Sequence, residues 1–235
     1  MKVIGVMGYH DAGKTSVLED LIRYLKEHGH RIHTAKHSAH EINPDKDTER
    51  HFSMGAEKVV GVDPKVYHIL QSQGDLFKEL QGCDYAILEG FKKRRGYLKV
   101  LVAQEEKDLE LIDDYTFIVT GNEDLKDSAE SRGTVFIRDS DELYSRLESS
   151  AFRRLPESNC KRCGRKKCSD LAQEIFDGDA RDDECVYLTD RVVLEVDGKN
   201  VTLSPFVQEV VDKTVRAMVG TLRDGEGKEI KLEMR

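Results

Sequence analysis

Eight consecutive residues near the amino terminus, Gly8-Tyr9-His10-Asp11-Ala12-Gly13-Lys14-Thr15, restrict this chain more than any other segment. They satisfy G-x-x-x-x-G-K-[ST], a pattern that functions between a buried strand and the helix that follows it. The glycines let successive backbone N–H groups curl around phosphate oxygens with no Cβ in the way. Lys14 offers an ammonium to the β- and γ-phosphates, and the Thr15 hydroxyl offers a ligand to Mg²⁺. The opening helix adds its positive amino-terminal end. The flanking sequence supplies this setting. Val3–Met7 is a short apolar run, and Val17, Leu18, Leu21, Ile22 and Leu25 recur at helical spacing over Thr15–Glu27 before Gly29. Gly8 through Ser16 therefore reads as a nucleotide-binding loop.

The rest of residues 1–150 keeps alternating. Arg31–Lys36, Tyr67–Leu70, Tyr85–Leu88, Val100–Ala103, Tyr115–Val119 and Val135–Arg138 are expected strands. Thr48–Val60, Asp75–Leu80 and Asp141–Leu147 are expected helices, with Gly55 interrupting the first. Alternation of this kind predicts an α/β fold with a mostly parallel sheet, here a P-loop NTPase domain over residues 1–150. A second catalytic part is expected where an acidic residue leaves a buried strand. Glu89, after Tyr85-Ala86-Ile87-Leu88, fits that place, either holding the metal through water or orienting an attacking water. Asp84, at the other end of the run, reads as a capping or turn residue.

Composition narrows the function. Lys+Arg number 37 against 45 Asp+Glu, a formal net charge of −8, which argues against a general nucleic-acid binder. No run reaches the roughly 18 apolar residues that span a bilayer, and the amino-terminal apolar run is too short for a signal peptide. A cytoplasmic protein with neither a nucleic-acid nor a membrane partner is expected.

After a linker-like stretch with Pro156, four of the five cysteines fall in residues 151–190, as Cys160-x2-Cys163-x4-Cys168-x16-Cys185. In a reducing compartment such clustering points to metal rather than disulfides. Four thiolates suit either a Cys₄ zinc site or a [4Fe–4S] cluster. Cys83 stands apart as a buried or half-buried thiol. Lys161, Arg162, Arg165, Lys166 and Lys167 surround the ligands; they raise a cluster's potential, dock an acidic protein, or form a solvated face. Lys92-Lys93-Arg94-Arg95 follows Glu89, as a phosphate grip or a solvated loop. Seven of eight histidines lie in the first 51 residues, among them His33, His37, His40 and His51. Metal ligation, a ligand-facing role and a structural role all remain open for them. Residues 191–235 read as a small ββαβ unit: Val192–Val196, Asp197-Gly198, Asn200–Leu203, a helix opened by Pro205, and Glu229–Met234. It is too small to bury much alone, so it is expected to pack on a neighbour or to dimerise.

Several motifs recur in an order that resembles a known family. They are Gly8–Ser16, Ala35-Lys36-His37 with His40, Asp45–His51 followed by Gly55-Ala56, Asp84–Lys92, Leu98-Lys99-Val100 and Phe117–Thr120. Together they look like the molybdopterin-guanine dinucleotide biosynthesis protein B (MobB) family over about residues 1–150. The resemblance implies GTP and Mg²⁺ binding, weak intrinsic hydrolysis and a homodimer. It also implies partners in the guanylyltransferase that attaches GMP to molybdopterin, and in molybdopterin or its carrier protein. Lys14 and Thr15 match the family's phosphate-loop pair, while Asp47 and Glu89 match its two acidic positions. His10-Asp11 departs from the small hydroxyl residues usual there, so the Asp11 carboxylate is expected to turn outward. An N-K-x-D guanine reader is absent, with Thr120-Gly121-Asn122-Glu123-Asp124 a loose substitute. The cysteine segment resembles the four-cysteine cluster domain of corrinoid iron–sulfur proteins and of an Rnf electron-transport subunit, which implies [4Fe–4S] rather than zinc. Lys161 stands where that domain often has Gly, and Val186 where it often has Pro.

The leading expectation is a GTP-binding accessory protein for molybdenum or tungsten cofactor maturation, joined to an iron–sulfur module. The alternative is a P-loop NTPase metallochaperone that delivers metal or clusters to other proteins. A small-molecule phosphotransferase would need a lid arginine, for which Arg94 and Arg95 are the candidates.

Overall fold

A computed structural model describes residues 1–37, 51, 54–56, 58–62, 76–189, 192, 194–196, 199–201, 203–223, 227 and 230–231. Its centre is a seven-stranded sheet. The strands are β1 (Lys2–Met7), β2 (Ile32–His37), β3 (Lys58–Val62), β4 (Tyr85–Glu89), β5 (Leu98–Ala103), β6 (Thr116–Gly121) and β7 (Val135–Phe136). Their spatial order is β3-β2-β4-β1-β5-β6-β7, and every pairing is parallel. All residues of β4 and β5 are buried, and five of six in β1. This is why they read as continuous apolar runs rather than alternating ones: a parallel sheet is covered on both faces.

Helix α1 (Lys14–Glu27) follows β1 and packs on one face through Leu18, Leu21, Ile22 and Leu25, each with no exposed surface. Burying each of these contributes about 1.5–3 kcal/mol, and truncating one to alanine costs about 2–5 kcal/mol. The short α2 (Leu76–Glu79) puts Leu76 and Phe77 into a separate core cluster with Ala86, Leu88 and Tyr97. Helices α3 (Lys126–Ser131) and α4 (Ser140–Ser150) complete the layers, the latter capped by Asp139, whose side chain accepts from the Glu142 N–H. Among the described residues no helix is long and apolar enough to cross a membrane.

Several elements differ from the sequence expectation. The expected helix Thr48–Val60 overlaps strand β3, whose residues pair with β2 from His33↔Lys58 to His37↔Val62. Within that range Val59 and Val60 are β-branched and belong to the sheet. The expected strand Tyr67–Leu70 lies outside the described residues. The 3₁₀ segment Glu106–Leu111 and helix α3 carried no sequence signal.

The cysteine segment shares the core of the sheet. Helix α5 (Cys168–Asp177) buries Leu171 and Ala172 in the cluster that also holds Tyr115, Ile118, Leu147, Phe152 and Leu155. Phe176 packs edge-on against Tyr115 and Phe117, 5.8 and 6.1 Å between ring centres. Arg153 makes a backbone bridge to Lys2, the first residue of β1. Its guanidinium forks onto Asp182 at 2.9 and 3.2 Å and donates to the Leu188 carbonyl at 2.8 Å. All these contacts lie at the amino-terminal ends of the strands. Beyond them, β8 (Leu194–Val196) and β9 (Lys199–Val201) form an antiparallel pair, followed by α6 (Pro205–Val219). Most of the expected strand Glu229–Met234 lies outside the described residues.

Candidate functional site

The phosphate loop runs from the last residue of β1 into α1. Two glycines explain its shape. A Cβ on Gly8 would lie 2.6 Å from the Val102 carbonyl oxygen, so the loop's approach to β5 requires its absence. Gly13, with φ +88°, turns the chain in the left-handed region to open α1. Gln104, just past β5, braces the loop by donating to the Ala12 carbonyl at 3.1 Å. Gln104 is itself fixed, because the Asp108 carboxylate accepts its backbone N–H at 2.6 Å and that of Glu105 at 2.9 Å. Asp11 is outward-facing and 88% exposed, paired with His10 at 2.8 Å.

Charged groups converge over the loop. The Lys14 ammonium donates to the Tyr9 carbonyl. Lys92 stacks on the Tyr9 ring, 4.0 Å from its centre. Its backbone carbonyl is held by Lys99 at 3.0 Å, and Lys99 is buried on β5 in an ion pair with Asp113. This anchors the start of the basic run beside the loop mouth. Arg94 instead stacks on Phe77 and Phe91, and Arg95 pairs with Asp114 at 3.4 Å.

Glu89, at the end of β4, is only 4% exposed rather than a solvated strand end. It registers with Val6 on β1 and Lys36 on β2. Lys36 Nζ lies 3.5 Å from Glu89 Oε2, and His51 Nε2 lies 3.6 Å from it. The latter distance is long for a hydrogen bond. Both atoms lack a hydrogen-bond partner among the described residues, so their attraction is electrostatic. His51 Nδ1 sits 3.1 Å from the buried Thr34 hydroxyl. Burial pushes the Glu89 carboxyl up, but His51, Lys36 and Lys14 outweigh it and hold it below its ordinary value. Burial pushes Lys14 down; Glu89 opposes this, while Lys92 and Lys36 reinforce it. A buried carboxylate oxygen with no hydrogen-bond partner among the described residues, beside Lys36 and His51 and close to a phosphate loop, suits a hydrated divalent cation and a polyphosphate.

Asp47 and His40 lie outside the described residues. Asp84 caps the bottom of the sheet by accepting from the Arg31 backbone at 2.9 Å and from its guanidinium. His33 is structural, its Nδ1 3.1 Å from the Leu80 carbonyl, and His37 lies against Phe91. Asn122 donates to the Gln104 carbonyl at 3.2 Å, next to the loop brace. Lys36 and Gln104 had no expected place in the site, whereas metal-ligating, ligand-facing and structural roles were all open for His51; Lys36 and His51 fall inside the motifs quoted for the family, while Gln104 had no signal.

At the opposite end of the sheet, Cys160, Cys163, Cys168 and Cys185 line one concavity with Leu155, Asn159 and Leu171. All four are free thiols. Among the described residues no group of three or more His, Cys, Asp or Glu stands ready around a single ion. The backbone is unusual here. Glu157, Asn159 and Lys161 have φ of +55, +48 and +62°. The Asn159 N–H donates to Cys168 Sγ at 3.4 Å, and its side-chain oxygen accepts from the Cys168 N–H at 2.8 Å. Cys168 thus opens α5 at its positive end. Burial pushes the Cys185 thiol up, against the N–H groups of Tyr187 and Leu188. Arg165 ties the segment together: it donates to the Cys163 carbonyl at 2.9 Å, to Glu174 at 2.6 and 2.9 Å, and to Glu184 at 2.7 Å. Four thiols on one concavity, with N–H donors aimed at two sulfurs, fit an anionic iron–sulfur group. Cys83 is buried away from it, its thiol donating to the Leu80 carbonyl.

Comparison with known proteins places both stretches of chain in described families. Residues 3–120 match the family described as "Molybdopterin guanine dinucleotide synthesis protein B", and residues 155–187 match one described as "Putative Fe-S cluster". A Methanocaldococcus jannaschii protein named "Putative molybdopterin-guanine dinucleotide biosynthesis adapter protein" is 31% identical, over 100% of this chain and 97% of its own. A Bacillus subtilis protein named "Probable molybdopterin-guanine dinucleotide biosynthesis adapter protein" is 28% identical, over 47% of this chain and 69% of its own. The crystal structure of Bacillus subtilis MobB aligns with a TM-score of 0.44 at 24% identity, covering 63% of this chain and 98% of that one. The phosphate loop, the buried acid at the end of β4 and a full-length relative lead to one conclusion: this chain belongs to the molybdopterin guanine dinucleotide synthesis protein B (MobB) family.

Proposed function

We propose that this protein is a GTP- and Mg²⁺-binding adapter in molybdenum or tungsten cofactor maturation. It acts in the cytoplasm as a homodimer, beside the guanylyltransferase that attaches GMP to molybdopterin and in contact with molybdopterin or its carrier protein. The observation that carries the reading is the buried Glu89 at the carboxyl end of β4, registered with β1 just before the phosphate loop, in a chain of this family. The amides of Gly8–Ser16 and the Lys14 ammonium hold the phosphates, and Thr15 and Glu89 hold the metal and its water. Lys36 and His51 keep Glu89 ionised, so hydrolysis is weak and metal-dependent rather than driven by a strong base. Cys160, Cys163, Cys168 and Cys185 carry a [4Fe–4S] cluster, which supplies one-electron chemistry when bound. The domain division is 1–150 for the nucleotide, 151–190 for the cluster and 191–235 for the terminal unit.

Titration with a fluorescent GTP analogue, with and without Mg²⁺, tests the first half. Binding that needs Mg²⁺, together with faster GMP attachment by the guanylyltransferase, is the expected outcome; failure to bind sinks the reading. Anaerobic protein is expected to hold about four iron and four sulfide per chain, whereas one zinc and no sulfide would reduce the segment to a structural clip.

A further inference from the structure

The chain is acidic overall, at −8, yet between Asn159 and Ser169 it carries five basic residues and no acidic one. One of the five, Arg165, is consumed by Glu174 and Glu184. Lys161 and Lys167 line the mouth of the cysteine concavity, and Lys161, Lys166 and Lys167 are exposed. No carboxylate among the described residues pairs with these three. Arg162 reaches across to Glu209 on α6 at 3.6 Å. That contact brings the exposed start of α6 beside the rim, with Phe206 and Val210, 67% and 46% exposed, flanking Glu209. A large exposed aromatic next to unpaired cations has the composition of a protein-docking surface rather than of an ordinary solvated face.

We propose that this rim, Lys161, Lys166 and Lys167 together with Phe206 and Val210, docks an acidic one-electron carrier protein over the cysteine pocket. The inference rests on the iron–sulfur reading above. Charge complementarity selects the partner: a cationic patch on an otherwise acidic molecule steers acidic proteins to one place and repels them elsewhere. Cys160, Cys163, Cys168 and Cys185 would hold the acceptor group, which would take up the single electron that the reduced carrier gives up. The phosphate loop sits at the other end of the sheet, so the carrier and the nucleotide do not compete for space.

The test uses the full chain, after iron and sulfide analysis, titrated with a fluorophore-labelled acidic plant-type ferredoxin and, for contrast, basic cytochrome c. Ferredoxin is expected to bind, with affinity falling about tenfold between about 20 and about 200 mM salt. Lys166→Glu is expected to weaken it by about tenfold and Phe206→Ala by about threefold, with cysteine-bound iron unchanged. Lys126→Glu on α3, at the phosphate-loop end, serves as the charge-matched control with no effect. Ferredoxin affinity indifferent to salt and to both rim variants overturns the proposal, as does equal binding of cytochrome c or binding of a duplex oligonucleotide to the same lysines. Iron content reads the cluster and the titration reads the docking, so the two ideas fail separately.

Discussion

At the phosphate-loop end, the strands themselves place the charged groups. Glu89 and Lys36 are register partners on β4 and β2, and Lys14 follows β1 through a loop whose shape two glycines set. At the cysteine end no strand carries a ligand. The pocket is held by arginine forks, Arg153 onto Asp182 and Arg165 onto Glu174 and Glu184, and by three non-glycine residues in left-handed conformation. The first site inherits its geometry from the fold; the second is assembled from side-chain ion pairs laid over a shared hydrophobic core. Damage should therefore spread differently in the two places.

The sharpest way to break this contrast is a reciprocal pair of variants. Lys14→Ala is expected to lower nucleotide affinity by about a hundredfold or more, read by fluorescent-GTP titration, with bound iron unchanged. Cys163→Ser is expected to remove most of the bound iron, read by metal analysis, with GTP affinity unchanged. Loss of both properties in either variant would show that the ends are not independent. Next in size, Glu89→Gln should cut Mg²⁺-dependent hydrolysis by about tenfold or more while nucleotide still binds. It should also flatten the acid limb of stability. The ionised Glu89 contributes in full above its ordinary value of 4.5, and that contribution is lost as pH falls through its lower folded value. Urea midpoints measured across that range check it.

Smaller effects sharpen the cysteine side. Arg165→Gln should leave the fold intact but reduce iron retention severalfold under mild chelation, and speed hydrogen exchange near Cys163 and Glu184; no change in either would show that the fork is ornamental. Lys161→Gly should stabilise the protein by about 0.5–1 kcal/mol, because φ +62° strains a side chain and not a glycine. A lowered urea midpoint would contradict that account.

What was legible in the sequence follows the same division. The phosphate loop is contiguous, so its residues announce themselves, and Glu89 stands out where a polar side chain ends an apolar run. Lys36 and His51 join Glu89 only through the strand register and the return of the chain, which spacing along the sequence does not encode. The stretch read as a helix over Thr48–Val60 runs into β3, whose place beside β2 is a tertiary decision that overrides the weak helical pattern. The cysteine spacing was plain, yet Arg165 was not: its partners lie nine and nineteen positions away, at no helical or strand period. Lys161 carried a signal after all, since the resembled domain often places Gly at a position that is here left-handed.

The order of strands in the sheet carries a consequence for synthesis. The first strand made, β1, lies between β4 and β5, so its first neighbour is complete only after Glu89 and its second only after Ala103. Gln104, which braces the loop, emerges after both, and the bridge from Arg153 back to Lys2 closes later still. A nascent chain stalled before Tyr85 bears the whole phosphate-loop sequence and none of this support. The loop is therefore expected to take its final shape only once translation has passed Gln104, and fragments released earlier are expected to bind no nucleotide.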